Sequence, residues 1–536
     1  MRIEVRREHV EALPLASYDL QCLNHGEHIT ERFGTNNLPV SQTGHHDTDH
    51  SAAWAFTRTF SPRKFQSTRR PSGATNILPV ELLLFIFKLV FERDAYWDLS
   101  LGWYDFDAAS PSLCPFAIAA VCSLWRDVMS LVPAFWKRVV IFVDSHTAFP
   151  SAAASQFLWS RDLPLEVVVT SRAGGNRLEE AGVMSTIMGT YINPNLHRIR
   201  TLRFNVRSSS CLPLFPGDFH GTASRLIRLR LACNEDDGCN NVRVNNDETE
   251  PVTPMDPQFP ALDTLLVDGR TYFNACRSSP ARWIEATANV DDLTVSHFTP
   301  RAGESFPSHA FALPLTAVDR LRYLRIVNVH LSSSASHPAP APYLEYVEHL
   351  ELHDFVDFEP AAEMISLVES VFEIVLIRCS LGRPADFGAG GYLTLKDIDE
   401  SEDMVPLLCA WQGERLSVTK CPGFTDRVLD AMCADTGVST CARGLTRIHI
   451  ADCPNFTVSA LKRLVAGLMA HLGLRFEAVK LSGSATRLLG EDLLWFTQNV
   501  EEFEYEGVDV SDIFQRIRVA ESEGCGGVMP LTLLEN

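Results

Sequence analysis

Short apolar runs of the kind that form β-strands recur along most of this chain. They occupy residues 139–143, 165–169, 202–204, 229–231, 264–267, 293–295, 321–326, 347–352, 374–377, 392–395, 416–418, 447–450, 478–481 and 503–505. Their spacing is roughly 20 to 35 residues, which is within or near the period of solenoid repeats. Helical patterns lie between many of them, for example at Asp426–Cys433, 458–469 and 491–496. The pattern therefore predicts an α/β repeat fold, an irregular solenoid in which parallel strands alternate with helices.

The composition is that of a folded protein, and it disfavours nucleic acid as the main partner. The 536 residues exceed what one simple core holds, and the 46% hydrophobic and 21% charged content is ordinary for a globular chain. The formal net charge of -20 disfavours DNA or RNA as a partner, because nucleic-acid-binding domains carry a basic face. The longest apolar run, at residues 80–91, is interrupted by two charges and is too short to span a bilayer. We expect neither nucleic acid nor membrane among the partners.

Two features bear on the compartment. The first eight residues are mostly charged and contain no apolar signal core. The fourteen cysteines form no C-x-x-C pair and are scattered through apolar segments, as at Cys122, Cys379 and Cys409. This usage favours reduced core thiols over a disulfide framework. A cytoplasmic or nuclear location, or both, is expected.

Residues 1–73 are predicted to be mostly disordered, because they lack sustained periodicity and are rich in polar, Pro and Gly residues. Three histidines are candidate metal ligands, but no Cys or folded frame surrounds them and a solvated polar tract is favoured: His45, His46 and His50. A basic run is either a nuclear-import patch or, as we favour, a solvated linker: Arg58, Arg63, Lys64, Arg69 and Arg70.

The character of the chain changes at residue 77. Apolar residues then recur every four positions, which is typical of one face of a helix: Leu78, Leu82, Ile86 and Val90. Pro79 suits the first helical turn, where its missing N–H costs nothing. The pattern predicts a helix over residues 79–91.

A second helical pattern follows at residues 116–129, and Pro133 then opens a short turn that carries Phe135 and Trp136. Between the two helices, residues 92–115 are rich in Trp, Tyr and Asp. This segment is predicted to be a loop insertion.

Three motifs in this region resemble the F-box. Residues 78–83 match an L-P-x-E-[LI]-[LI] opening, residues 121–126 match V-C-x-x-W-R, and residues 133–136 match P-x-[FLW]-W. The resemblance implies a short all-α, three-helix module at residues 74–138 that binds a Skp-family adaptor and, through it, cullin. It places the adaptor contacts on Leu78, Pro79, Leu82, Leu83, Ile86, Val121, Cys122 and Trp125. The insertion at 92–115 departs from the family, which has a short connection there.

Two later segments resemble the cysteine-containing leucine-rich repeat of F-box proteins. They are residues 415–432 and 445–464, which resemble the pattern L-x-x-L-x-[LI]-x-x-C-x-x-[LIF]-[TS]. Alternating apolar residues would form a strand, and Cys421 and Cys453 would point inward at the turn that follows it. Thr425 or Asp426, and Thr457, are candidate caps for the next helix. A metal site at these cysteines is disfavoured, because no paired ligands lie at zinc spacing.

These readings give four regions. Residues 1–73 form the disordered segment and residues 74–138 the F-box-like domain. Residues 139–521 form a leucine-rich-repeat-like domain that binds a protein substrate, with surface loops at 234–257 and 332–342. Residues 522–536 form a tail.

Enzyme signatures are missing from the sequence. The glycines at 388–391 precede a strand and lack the third glycine of a dinucleotide fingerprint, and no G-x-S-x-G, H-E-x-x-H or phosphate-loop pattern occurs. The acidic pairs Asp236-Asp237 and Asp291-Asp292 are predicted to be solvated charge. We therefore expect no catalytic residue, no cofactor and no metal.

The resemblance implies a non-catalytic adaptor, the substrate-recognition subunit of an SCF-type (Skp–cullin–F-box) ubiquitin ligase. Such a subunit recruits a protein substrate for ubiquitination and degradation by raising its effective concentration near the conjugating enzyme. The alternative is a leucine-rich-repeat scaffold in which the F-box-like helices only cap the array. An enzyme on an α/β scaffold is a third and less favoured possibility.

Overall fold

A computed structural model describes the chain from residue 78 to residue 509 with internal gaps. The described ranges are 78–100, 115–143, 149–171, 177–238, 258–278, 280–333, 344–368, 371–382, 391–433, 444–472, 475–483, 488–506 and 508–509. The predicted disordered segment at 1–73 and the tail at 522–536 lie outside these ranges. So do residues 101–114 of the predicted insertion, and residues 239–257 and 334–342 of the two predicted loops.

Three helices open the described part of the chain. They are α1 (Val80–Ser100), α2 (Phe116–Val121) and α3 (Ser123–Ser130), and a short 3-10 helix at Pro133–Trp136 follows them. The first helix runs nine residues beyond the predicted end and into the segment predicted as a loop. No Gly or Pro occurs between residues 92 and 100, so nothing local stops the helix before Gly102.

The second predicted helix is broken at Cys122. The backbone of Cys122 is extended, with φ −161° and ψ 168°, so α2 ends there and α3 begins after it. Its sulfur accepts a hydrogen bond from the backbone N–H of Trp125 at 3.5 Å, which caps the first turn of α3. Cys122 therefore ends one helix and starts the next.

The rest of the described chain forms one sheet in which every strand pairs with its neighbours in sequence. The strands are β1 (Arg138–Phe142), β2 (Leu165–Thr170), β3 (Ile199–Ser208), β4 (Arg228–Glu235), β5 (Thr264–Asp268), β6 (Asp292–Phe298), β7 (Tyr323–Val329), β8 (His349–His353), β9 (Glu373–Ile377), β10 (Tyr392–Lys396), β11 (Arg415–Thr419), β12 (Arg447–Ala451), β13 (Phe476–Ser482), β14 (Val500–Tyr505) and β15 (Val508–Asp509). The strands from β1 to β14 are parallel, and the short β15 is antiparallel to β14. Each of the fourteen predicted runs overlaps one of the parallel strands, so the α/β repeat arrangement is confirmed. The last strand was not predicted.

Helices lie in most of the connections between the parallel strands, as is usual for crossover connections. The α-helices are α4 (Phe149–Trp159), α5 (Arg177–Ile187), α6 (Asn193–Asn195), α7 (Gly269–Ser278), α8 (Pro280–Thr287), α9 (Ser308–Ala312), α10 (Phe358–Ser366), α11 (Val405–Ala410), α12 (Asp426–Cys433), α13 (Val458–Leu472) and α14 (Gly490–Asn499). A π-helix at Met188–Ile192 and 3-10 helices at Leu196–Arg198, Ser209–Cys211 and Leu313–Ala317 complete them. The three helical candidates of the sequence correspond to α12, α13 and α14. Within the described ranges, no helix is both long and apolar enough to cross a membrane.

Alternate residues of each strand point to opposite faces of the sheet, and one face builds the core. The inward residues of successive strands stack in register, as with Leu393, Leu416 and Ile448, and they join the buried helix residues in one apolar cluster. The polar and charged strand residues lie on the other face. That outer face positions the charged groups described below.

A left-handed residue ends most of the later strands. Asp354, Arg378, Lys420 and Asp452 have φ between 50° and 58°, a region that non-glycine residues seldom adopt. Each still donates its backbone N–H to the next strand, as from Lys420 to the carbonyl of Ala451 at 2.9 Å. The chain thus leaves the strand without leaving a ladder hydrogen bond unmade.

The residue after this left-handed position points into the core. Cys379, Cys421 and Cys453 occupy that position in three repeats and are buried thiols. The thiol of Cys421 donates to the carbonyl of Thr419 at 3.3 Å, and the thiol of Cys453 to that of Ala451 at 3.3 Å. Burial raises the pKa of Cys379 to about 11 and that of Cys421 to about 12. The inward position predicted for Cys421 and Cys453 is confirmed.

The predicted caps behave differently from each other. The Thr457 hydroxyl accepts from the backbone N–H of Ala460 at 3.2 Å and so caps α13 as expected. Asp426 instead reaches the following repeat, where its Oδ2 accepts from the Thr457 hydroxyl at 2.8 Å. Asp426 therefore joins two neighbouring repeats.

Candidate functional site

The first helix carries an apolar surface that the rest of the described chain leaves exposed. At 100° per residue, five apolar side chains of α1 span an arc of about 140°. All five are exposed: Leu82, Phe85, Ile86, Leu89 and Val90. We call these five residues the α1 strip. Leu82 is 49% exposed and Phe85 is 60% exposed. An apolar arc of this width facing water is characteristic of a surface that a partner covers.

The opposite side of α1 holds a small core of its own. Leu83 is 2% exposed and Phe87 is 1% exposed, and they pack against residues of α2, α3 and the 3-10 helix. The Phe87 ring lies 5.0 Å from that of Trp125, centroid to centroid. The helix therefore has an inner face that forms a core and an outer face that does not.

Charged residues border one side of the strip. Glu81, Lys88 and Glu92 are exposed. When Leu82 is placed at 0° on a helical wheel, these three residues fall between about 240° and 280°, next to Phe85 at about 300°. Over residues 80–92, α1 thus divides into a buried face, a charged edge and the exposed apolar strip.

Four of the eight predicted contact residues lie exposed on or just before α1, namely Leu78, Pro79, Leu82 and Ile86. Val121 is also exposed, at the end of α2. The other three are placed differently. Leu83 is buried in the small core, which does not fit a direct contact with a partner. Cys122 and Trp125 are half-buried, and the aromatic contact of Trp125 is with the inner side of α1.

Three members of the strip were not among the predicted contacts. Phe85, Leu89 and Val90 are exposed and lie on the same face of the helix as Leu82 and Ile86. The sequence could have indicated these three residues, because residues 82–91 are apolar on nearly all sides of the helix. A helix that only lines a core has a single apolar stripe. The exposed set is therefore broader than the motif alone indicates.

A second set of interacting side chains lies on the outer face of β7, β8 and β9. Glu351 is at its centre: the Nε of Arg325 donates to Glu351 at 2.6 Å, and His353 also binds its carboxylate. His349, on the same strand, lies 3.1 Å from Glu373 through Nδ1 and 3.7 Å from Glu351 through Nε2. Burial alone would raise the pKa of Glu351, but His349, His353 and Arg325 together hold it well below its ordinary value.

The same contacts predict a pH dependence of stability. Glu351, and then Glu373, raise the pKa of His349 above 6.5 in spite of its burial. A histidine whose pKa is raised on folding contributes stability below pH 6.5, and that contribution disappears as the pH rises through the folded-state pKa. Wild-type protein should therefore gain stability at pH 6 relative to pH 8 from this group, and Glu351→Gln should reduce that gain.

The measurement is the free energy of urea unfolding at both pH values for the wild type and for Glu351→Gln. Glu363→Gln, on α10, is the matched control and should leave the pH 6 to pH 8 difference unchanged. An unchanged difference in Glu351→Gln would contradict the assignment to His349.

The two acidic pairs do not share one environment. Asp236 was predicted to be solvated, and this is wrong, because its side chain is only 3% exposed and bound by Arg270. Asp237 accepts from the hydroxyl of Ser209 at 2.8 Å. Asp291 lies nearer the surface, where the Nε of Arg322 donates to it at 2.6 Å. The sequence around Asp236 gives no sign of this ion pair, because Arg270 lies 34 residues further along the chain.

Within the part of the chain that the structure describes, no three His, Cys, Asp or Glu side chains come together as a metal site would require. The histidines at 45, 46 and 50 and the basic run at 58–70 lie outside the described residues. A scan against protein-family models found no match to this chain, and a search of curated proteins found none either. What supports a function is therefore the chain's own exposed surface, above all the α1 strip.

Proposed function

We propose that the protein is an F-box adaptor, the substrate-recognition subunit of an SCF-type ubiquitin ligase. The α1 strip would bind a Skp-family adaptor, which links the chain to cullin, and the strand array would hold a protein substrate. The observation that carries this proposal is the exposure of Leu82, Phe85 and Leu89 on the helix that bears the F-box-like opening motif.

The strip suits a helix-in-groove contact. Burying apolar side chains is worth about 25 cal/mol per Å² of apolar surface removed from water, so five exposed residues offer a strong incentive for association. Because Leu83 and Phe87 already anchor α1 from behind, the strip can be covered by a partner without rearranging the helices. No catalytic group is needed for this role, since an adaptor acts by holding a substrate near the conjugating enzyme.

A repeat scaffold with capping helices is the alternative, and one contact favours it. The Trp136 ring lies 4.5 Å from that of Trp159 on α4, which ties the helical unit to the start of the strand array. Capping, however, uses only the side of the unit that faces the array. It gives no reason for Leu82 and Phe85 on α1 to be apolar and exposed.

The test is binding of the full chain to a purified Skp-family adaptor. Wild type should bind, and Leu82→Asp or Phe85→Asp should weaken binding by about 100-fold, because each places a charge in an apolar contact of the hot-spot kind. Val356→Asp is the matched control, since Val356 is 72% exposed and lies far along the chain, before α10. It should bind like the wild type.

Thermal unfolding checks that each variant is folded. Leu82 and Phe85 are exposed, so their replacement should leave the melting temperature nearly unchanged. Failure of the wild type to bind would favour the capping alternative. Equal binding by the wild type and Leu82→Asp would also contradict the proposed surface.

A further inference from the structure

A cavity of about 890 Å³ lies along the edge of the sheet at which β5 to β9 begin. Its lining residues precede these strands, from Asp263 before β5 to Phe372 before β9. We call this cavity the edge groove. Because neighbouring strands lie about 4.8 Å apart, the groove extends over about 19 Å, the length of about six extended residues. It is therefore long enough to hold a peptide segment.

Two aromatic side chains lie exposed in the groove. Tyr346 is 50% exposed and Phe372 is 55% exposed. Within the described ranges, the Tyr346 side chain makes neither a ring contact nor a hydrogen bond. Phe372 meets the ring of Tyr392 at 4.2 Å, centroid to centroid, and the Arg415 guanidinium lies 4.3 Å from that Tyr392 ring. The edge thus already holds one guanidinium group on an aromatic ring, and Tyr346 and Phe372 can accept another by the same cation–π contact.

The charge of the groove is negative. Among its described lining residues, five carboxylates accompany two guanidinium groups, and the carboxylates belong to Asp263, Asp291, Asp319, Glu345 and Glu348. Arg322 donates to both oxygens of Asp291, at 2.6 and 2.8 Å, which neutralises one of each kind. The side chains of Asp319 and Glu345 form no hydrogen bond or ion pair in the described part of the chain. Four carboxylates and the Arg320 guanidinium therefore remain for a partner to meet.

Two of the carboxylates are neighbours across the ladder. The backbone N–H of Asp291 donates to the carbonyl of Asp263 at 2.8 Å, so these acidic residues occupy adjacent points of the edge. Their charge reaches Asp292, the first residue of β6. Burial raises the pKa of Asp292, Arg325 opposes this, and Asp291 and Asp263 raise the pKa further. Like charges side by side cost folding free energy, and a cationic partner would reduce that cost.

We propose that the edge groove binds an extended, arginine-containing segment of the protein substrate. Guanidinium groups form bidentate hydrogen bonds with carboxylates, and they stack on aromatic rings such as those of Tyr346 and Phe372. A lysine ammonium has the same charge but lacks the planar, bidentate geometry. The proposal deepens the role given above to the strand array, and it rests on that role only in calling the segment a substrate.

The experiment measures, by fluorescence anisotropy, the binding of labelled peptides to the full chain. The peptides are about six residues long, with arginine, lysine or glutamine at alternate positions and serine between them. We expect the arginine peptide to bind, the lysine peptide to bind about threefold more weakly, and the glutamine peptide to bind at least about tenfold more weakly. No adaptor is present, so a failure here leaves adaptor binding by α1 standing, and the loss of adaptor binding leaves the peptide result standing.

Glu345→Lys tests the acidic part of the groove. It should weaken binding of the arginine peptide by about tenfold, the scale of one hydrogen bond to a charged group. Glu400→Lys is the matched control, because it makes the same change in total charge at an exposed position that follows β10, on the opposite edge of the sheet. It should bind like the wild type.

Tyr346→Ala tests the aromatic part and should weaken binding by about threefold, the scale of an exposed cation–π contact. Its control is Val356→Ala, since Val356 is 72% exposed and follows β8 on the opposite edge. Arg320→Gln should tighten binding by about threefold, because it removes a positive charge from the groove. A folding defect would not produce tighter binding.

Several results would overturn the proposal. Equal affinity for the glutamine and arginine peptides would show that charge is not recognised. A lysine peptide that binds as tightly as the arginine peptide would show that guanidinium is not recognised. Equal weakening by Glu345→Lys and Glu400→Lys would show only long-range attraction to a chain of charge -20. Unchanged or weaker binding by Arg320→Gln, with circular dichroism like that of the wild type, would place the peptide elsewhere.

Discussion

Arg270→Met is expected to lower the free energy of unfolding by about 3–5 kcal/mol, the usual cost of removing one partner from a buried ion pair. The Arg270 guanidinium donates to both oxygens of Asp236, at 3.2 and 3.0 Å, and to Glu304 at 2.7 Å. The side chains of Arg270 and Asp236 are 2% and 3% exposed. Although burial would raise the pKa of Asp236, its hydrogen bonds with Arg270 hold that pKa below its ordinary value. Methionine keeps the apolar stem but leaves the Asp236 charge without its counterion.

Arg378→Met is the matched control. Arg378 also forms a bidentate pair, in which its Nε and Nη2 donate to the two carboxylate oxygens of Asp354 at 2.6 and 2.9 Å. Its side chain, however, is 52% exposed. Exposed pairs are worth at most about 1 kcal/mol, so this variant should unfold at nearly the wild-type urea concentration. Equal losses in the two variants would show that burial of the Arg270 pair does not determine its contribution.

Trp136→Ala should cost about 3–5 kcal/mol in the unfolding of the helical unit, the range for deleting a buried tryptophan. The ring is buried against Trp159, and its Nε1 donates to the carbonyl of Met129 at 3.0 Å. Removal therefore leaves a cavity beneath α1 and deletes one hydrogen bond to the Met129 carbonyl, which keeps its bond from the backbone N–H of Val132. Because the apolar cluster around Trp136 is separate from that of the strand array, the loss should be local.

Amide hydrogen exchange read by mass spectrometry checks this. Exchange should accelerate in α1 and α3, while β10 to β13 keep the wild-type rate. Leu131→Ala serves as the control, because Leu131 is exposed at the end of α3 and its truncation should change little. Comparable acceleration in the distant strands would contradict the separation of the two cores. Adaptor binding, if the proposal for the α1 strip holds, should fall with the local unfolding.

The strands of this fold are readable from the sequence because their signal is local. Leu416 and Val418 alternate with polar residues, and Leu445 through Ile450 repeat the pattern one unit later. Each alternating pair predicts its own strand, and no information from the rest of the chain is needed. The break at Cys122 was not foreseen, because the apolar spacing of a helix continues through it.

The charged sites were harder to foresee because their partners are distant. Asp236 and Arg270 are 34 residues apart, and only the fold brings them together. Leu83 illustrates a different case: the motif named it as a contact, but helical phase turns it inward beside Phe87.

The order of the strands has a consequence for how the chain reaches this structure. Each strand pairs only with those before and after it in the chain, from β1 through β15. Every ladder therefore closes a loop of about one repeat, and the entropy cost of closure grows only slowly with loop length. No step has to wait for a distant segment to arrive. Assembly can begin at any adjacent pair, such as β11 and β12, and extend toward both ends, in the manner of crystal growth along one axis.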